Sequence, residues 1–174
     1  MQFYILGVPF CLGAKISGCE TAPSLLKDLF EKKLKMEWLN LHLDTPQIID
    51  RNKDQLKAVE EMALKSSNQI SQENKKPIVI GGDHTIAIGT WSGITNKLQC
   101  QQDFGLIWID AHMDSHTYES SHSKSYHGMP ISFLLGQGKG ELSNIGGVRP
   151  KINPEHLVII GARSFEDEEK AFLE

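Results

Sequence analysis

The sequence is poor in the features that mark special classes of protein. It holds three cysteines, Cys11, Cys19 and Cys100, an odd number at wide spacing with no CxxC pair. That argues against a disulfide framework or a thiolate metal site, and the cysteines read as free thiols in a reducing compartment. No apolar run approaches the roughly 20 residues that a membrane-spanning helix needs. The opening stretch, MQFYILGVPF, lacks the basic n-region of a signal peptide. Together these absences predict a cytoplasmic protein with no membrane partner. No charge of one sign dominates, since 18 Lys and Arg stand against 22 Asp and Glu. The net charge of −4 does not suggest nucleic acid, which favours a basic surface. No internal repeat or low-complexity tract is present.

What remains is a chain of 174 residues, 40% apolar and 23% charged. That suits one globular domain with a sizeable core, or part of a larger domain. Strand-like and helix-like segments alternate along it. Short apolar runs at Phe3–Val8, Pro77–Ile80, Gly105–Ile109 and His156–Ala162, and the alternating Glu37–Asp44, predict strands. Helical spacing predicts a helix over Thr21–Leu34, with Thr21 as N-cap and Leu25, Leu26, Leu29 and Phe30 as one apolar face. A second helix, Asp54–Ile70, presents Leu56, Val59, Met62 and Ala63. Further helices are predicted over His84–Leu98, where Gly89 and Gly93 weaken the pattern, and over Pro130–Gly136 and Phe165–Glu174. The stretch from Ala111 to Tyr126 reads as a loop, and KINPEH at Lys151–His156 as a loop before a strand. This alternation predicts βαβ units around a mainly parallel sheet, an α/β fold. The runs Ile78–Ile80, Leu106–Ile109 and Leu157–Ile160 are apolar throughout, as in strands covered by helices on both faces.

In such sheets ligands bind beyond the carboxyl ends of the strands. Two strand ends carry chemistry suited to that place. The run PIVI leaves through Gly81 and Gly82 and presents Asp83 and His84. The run GLIWI leaves into DAHMDSH and presents Asp110, His112, Asp114 and His116 at every second position. If the two strands are neighbours, both groups open onto one edge, and the glycines keep it clear. Spacing of two along an extended segment points side chains to one side, so Asp110, His112 and Asp114 can share a centre. Imidazole and carboxylate without thiolate suit Zn, Mn, Fe or Co, and the extra carboxylates shift the balance toward Mn. Asp and His also meet in ordinary loops and helix caps, so the pattern alone leaves a structural role open.

The motifs GGDHTIAIG at Gly81–Gly89, WIDAHMDSHT at Trp108–Thr117 and HGMPISFLLG at His127–Gly136 resemble those of the ureohydrolases, the family of arginases, agmatinases and formiminoglutamases. GVPFCLGAKISGCETAP near the start and VIIGARSFEDEE near the end are weaker echoes. The HGMPISFLLG stretch is more similar to the arginase branch than to the agmatinase branch. The resemblance implies a three-layer α/β/α fold holding two Mn ions. It implies a bridging hydroxide that attacks the guanidinium carbon of L-arginine, giving urea and L-ornithine. Position by position, His84 and Asp114 would bind one metal, His112 the other, and Asp110 both. The catalytic residues would be His127, a proton shuttle to the leaving amine, and the ligand Asp114. His116, Ser123 and Ser125 would face the substrate. His116 stands where arginases usually carry Asn, and Ser125 where many carry Asn, which bears on the choice of arginine. Asp83 is expected to be structural, and Glu119 and His122 to be solvated. The family often forms trimers or hexamers, so a homo-oligomer is implied.

Residues 1–174 contain no DxDxxDP motif, which completes the metal pair in the family, and no matching glutamate near the guanidinium. The chain is therefore expected to be the N-terminal portion of a single arginase-like domain and inactive alone. Three readings stand. One is an arginase-type hydrolase of a guanidino compound, with agmatinase- or formiminoglutamase-type substrates as variants. Another is a non-catalytic binding or regulatory protein of the same fold. The third is a mononuclear Zn hydrolase using His84, Asp110, His112 and Asp114.

Overall fold

The structure, a computed structural model, describes residues 2–44, 51–98, 104–138 and 141–174, without the side chains of 51–53. Cys100 lies outside the described residues; Cys11 and Cys19 are free thiols. Strand β1 (Phe3–Val8) lies between β2 (Glu37–Asn40) and β3 (Lys76–Gly81), all parallel, with Ile5 opposite both Trp38 and Ile78. Strands β4 (Leu106–Ile109) and β5 (Leu157–Ile160) form a second parallel pair, with Leu106 opposite Leu157. Parallel strands need crossovers, and helices supply them. Helix α1 (Ala22–Leu34) joins β1 to β2, α2 (Arg51–Gln72) joins β2 to β3, and α3 (Ile86–Lys97) leads from β3 toward β4. The short α4 (Pro130–Leu134) and a series of 3-10 turns lead to β5, and α5 (Asp167–Leu173) follows. The last of those turns, Pro154–His156, is the expected KINPEH connection, capped by the Asn153 side chain. No helix among the described residues is long and apolar enough to cross a membrane.

The first core forms where β1 meets α2 and α3. Tyr4, Leu6 and Val8 pack there with Val59, Met62 and Ala63, all fully buried. The glycines that weakened the α3 pattern are what let α2 and α3 touch. A Cβ at Gly89 would lie 2.0 Å from Ser66 Oγ and 2.7 Å from the Ala63 carbonyl oxygen, and one at Gly93 2.8 Å from the Ser67 oxygen. Helix α1 departs from its predicted face: Leu25 is 75% exposed and Leu29 45%. Of that face Phe30 does meet the sheet, beside Trp38, and Pro23 joins it by lying against Gly7. Thr21 occupies the N-cap position, but its hydroxyl donates to the Gly18 carbonyl rather than capping.

Two further expectations are corrected. Among the described residues β3 and β4 are not hydrogen-bonded neighbours but belong to separate sheets. Nor are all strands covered on both faces. In β1, Tyr4, Ile5 and Leu6 are completely buried, so both faces are covered. In β4, Leu106 and Trp108 pack inward, whereas Ile107 is 65% and Ile109 78% exposed. Val158 and Ile160 of β5 lie on the same bare side. An apolar run shows that a strand is suited to burial on both faces; it does not supply the second covering layer.

Candidate metal centre

The end of β3 is shaped by close approach. A Cβ at Gly82 would lie 1.6 Å from the Phe10 carbonyl oxygen, so no larger residue fits. The turn delivers Asp83 and His84 in opposite roles. Asp83 is buried and structural, as expected: one oxygen accepts the Gly13 and Ala14 N–H groups at 2.8 and 3.1 Å, the other the Thr85 N–H at 2.9 Å. His84 reaches the other sheet. Its Nδ1 lies 2.6 Å from Asp114 Oδ2 and 3.2 Å from Asp110 Oδ2. Its ring stacks on Trp108 at 4.3 Å, so a buried residue of β4 sets its orientation.

The loop after β4 is not extended. Asp114 has φ +50°, a left-handed conformation that a non-glycine residue holds only where its surroundings fix it. Its carbonyl accepts the Ile131 N–H at 2.9 Å, which ties the loop to α4. Even spacing therefore does not bring all three groups to one side. His112 is 61% exposed at its side chain and stands apart from the other two ligands, with Nδ1 3.1 Å from Asp110 Oδ1. The two oxygens of Asp110 thus face different histidines.

Electrostatics favour a charged cluster. Burial pushes the His84 pKa down, but the bond to Asp114 and the charges of Asp114, Asp110 and Asp83 outweigh it and leave it raised. Burial pushes Asp110 up, but the His112 backbone N–H and the His84 charge hold it below the usual aspartate range. Donor atoms of His84, Asp110 and Asp114 lie within 4.8 Å of one another, and no Lys or Arg lines the pocket among the described residues. This donor set fits a divalent cation of the Mn or Zn class, which would replace the proton shared by His84 and Asp114.

The pocket, about 470 Å³, is completed by His116, His127, Glu166 and Glu169. His127 is exposed, and its backbone N–H donates to the Gly13 carbonyl at 3.2 Å. His116 is buried, with Nδ1 3.0 Å from Ser120 Oγ and Nε2 3.4 and 3.5 Å from carboxylate oxygens of Glu166 and Glu169. Glu169, also buried, accepts the Ser115 N–H at 3.2 Å and the Glu166 N–H at 3.1 Å, the latter as part of the capping box of α5. Sequence reasoning missed both glutamates. The signal was there: FEDEE follows β5 as DAHMD follows β4, and the strand-end rule applies to any parallel strand. Two hydrogen bonds tie the segments together, from Arg163 N and Ser164 N to the Ala111 oxygen at 2.8 and 3.0 Å. Glu119 and His122 are exposed, as expected, though His122 approaches Glu166 at 3.6 Å.

Ser123 and Ser125 are not brought to this pocket. They line a separate cavity of about 310 Å³ with Lys15 and Lys124. Local bonding holds them there: Ser123 Oγ accepts the Ser125 N–H at 3.2 Å, and Ser121 Oγ accepts the Lys124 N–H at 3.1 Å.

The sequence profile of the arginase family matches residues 1–174. Arginase from Bacillus caldovelox is 36% identical, over 97% of this chain and 60% of that protein. Arginase from Bacillus subtilis is also 36% identical with the same coverage. The solved structure of the Bacillus caldovelox arginase superposes with a TM-score of 0.87 over 99% of this chain and 61% of its own. The chain thus spans about 60% of the length of these relatives, matching their N-terminal part. By a profile match along its entire length, the chain belongs to the arginase family.

Proposed function

We propose that this chain is the N-terminal portion of a manganese-dependent hydrolase of a guanidino compound, with L-arginine the first candidate and urea and L-ornithine the products. The observation that carries the reading is the convergence of His84, Asp110 and Asp114 from the ends of two separate sheets. His84 and Asp114 would hold one ion, with Asp110 shared toward His112, in line with its two oxygens facing the two histidines. Bound divalent ions lower the pKa of water so that it attacks near neutral pH. The chain's own groups do the rest. Cleavage at the guanidinium carbon expels an amine that needs a proton, and the exposed His127 is the group in the pocket suited to give it. His116, Glu166 and Glu169 line the pocket where the remainder of the substrate would lie. Free thiols at Cys11 and Cys19 suit a reducing, cytoplasmic setting. A homo-oligomer, as in the family, is part of the proposal.

The ligands of the second ion other than Asp110 and His112 are absent from the described cluster, so the 174-residue chain is proposed to release no urea alone. The test is urea release by the manganese-loaded full-length protein from L-arginine, agmatine and other guanidino compounds. Release from none of them would overturn the reading. In that protein His127→Ala should slow turnover by roughly 100- to 10,000-fold with the metal content unchanged. Loss of metal in this variant would contradict the proton-donor role.

A further inference from the structure

We propose that helix α5 is a bracket of the metal centre. Glu169, which is not one of the three clustered donors, holds Asp114 in its ligating conformation, so that cation binding and the docking of α5 are coupled. The inference rests on the metal reading of His84, Asp110 and Asp114 and extends it to a helix that carries none of them.

Of the seven residues of α5, the one that is buried is a carboxylate, Glu169, 5% exposed. Burying a carboxylate is costly unless its oxygens are bonded. Oε2 accepts the Glu166 N–H at 3.1 Å, the capping-box bond, which an exposed glutamate makes equally well. Oε1 reaches further. It accepts the Ser115 N–H at 3.2 Å, across 54 positions of chain. Ser115 is fully buried, and its hydroxyl donates to the Glu169 carbonyl at 3.3 Å, a second tie between the same two residues.

The Ser115 N–H belongs to the peptide group that begins at the Asp114 carbonyl. That carbonyl accepts the Ile131 N–H of α4 at 2.9 Å. Both polar atoms of one peptide group are therefore held, one by α4 and one by α5, and the plane cannot turn without breaking a buried bond. Its orientation sets ψ of Asp114, beside the left-handed φ of +50°. In this conformation Asp114 Oδ2 stands 2.6 Å from His84 Nδ1. With α5 undocked only the α4 bond would remain, and Asp114 would be free to relax toward commoner backbone regions. A cation that selects the ligating conformation thus favours docked α5, and docked α5 tightens the cation by the same factor.

The test is amide hydrogen exchange of the full chain with and without Mn, together with Mn affinity by calorimetry. In the unaltered chain Mn should slow exchange at Ser115 and at residues 170–173 by roughly 5- to 150-fold. Glu169→Ala should weaken Mn binding by roughly 10- to 100-fold, as for other groups that support a ligand, and abolish the slowing at 170–173. Glu169→Gln keeps an acceptor for the Ser115 N–H and should recover most of the affinity. Glu166→Gln removes the same charge from the pocket without touching Ser115, and should change affinity by less than about threefold. Affinity unchanged in Glu169→Ala, an equal loss in Glu166→Gln, or exchange in α5 that ignores Mn would overturn the bracket alone. If Glu169→Ala unfolds, Glu169→Gln and the exchange of the unaltered chain decide. An unaltered chain that binds no Mn would overturn the metal reading, and the bracket with it.

Discussion

The two histidines beside Asp110 differ in almost every physical respect. His84 follows β3, stacks on the buried Trp108 and contacts two carboxylates. His112 projects from the loop after β4, 61% exposed at its side chain, and among the described residues its ring pairs with Asp110. Both were read as metal ligands from the same kind of pattern. The difference teaches that a ligand is held ready by the core behind it, and that only one side of this centre has such backing within the described residues.

Metal affinity measured by calorimetry should separate the two. His84→Ala is expected to weaken Mn binding by more than about 100-fold, beyond the range typical of partners that merely support a ligand. His112→Ala should weaken the same event by less than about tenfold. Equal losses would erase the distinction.

The next effect is on pH. The raised His84 pKa means that a cation must displace a proton, so affinity should fall by about tenfold per pH unit below that pKa. The sign for the metal-free chain is the reverse. The protonated His84 paired with Asp114 contributes stability that is fully present below the unfolded histidine value of about 6.5, and is lost as pH rises through the higher folded value. Calorimetry of manganese binding in buffers of different ionisation enthalpy should detect proton release on binding at pH values below the raised His84 pKa, and less in His84→Ala. Equal release in both would place the proton elsewhere.

The last contrast concerns the sheets that present the two histidines, and its smallest effect is on the bare face of β4. Ile109→Lys on the bare face of β4 should change stability by less than about 0.5 kcal/mol and raise solubility. Ile5→Ala in the covered β1 should cost about 2–5 kcal/mol. Denaturant melts of the two variants test the contrast, and similar losses would mean that the β4 face is covered after all.

Much of this was legible in the residues. Apolar periodicity located β1, α2 and β3, because burial against neighbours demands it, and the strand-end rule located His84, Asp110 and Asp114. The remainder depended on tertiary facts that no local pattern carries. The exposure of Leu25 follows from where α1 touches the sheet. His112 is exposed in a loop that bends at residues 111–112 and turns left-handed at Asp114, which even spacing cannot reveal. The serines sit in the second cavity because of hydrogen bonds within their own loop. Glu166 and Glu169 were missed for a different reason, since the rule that found His84 was not extended to β5.

The most direct test is an anomalous difference map from crystals of the chain soaked in manganese. The account predicts a peak in contact with His84 Nδ1, Asp110 and Asp114. No peak there, or a sole peak at the exposed group of His122, Glu166 and Glu168, would contradict it.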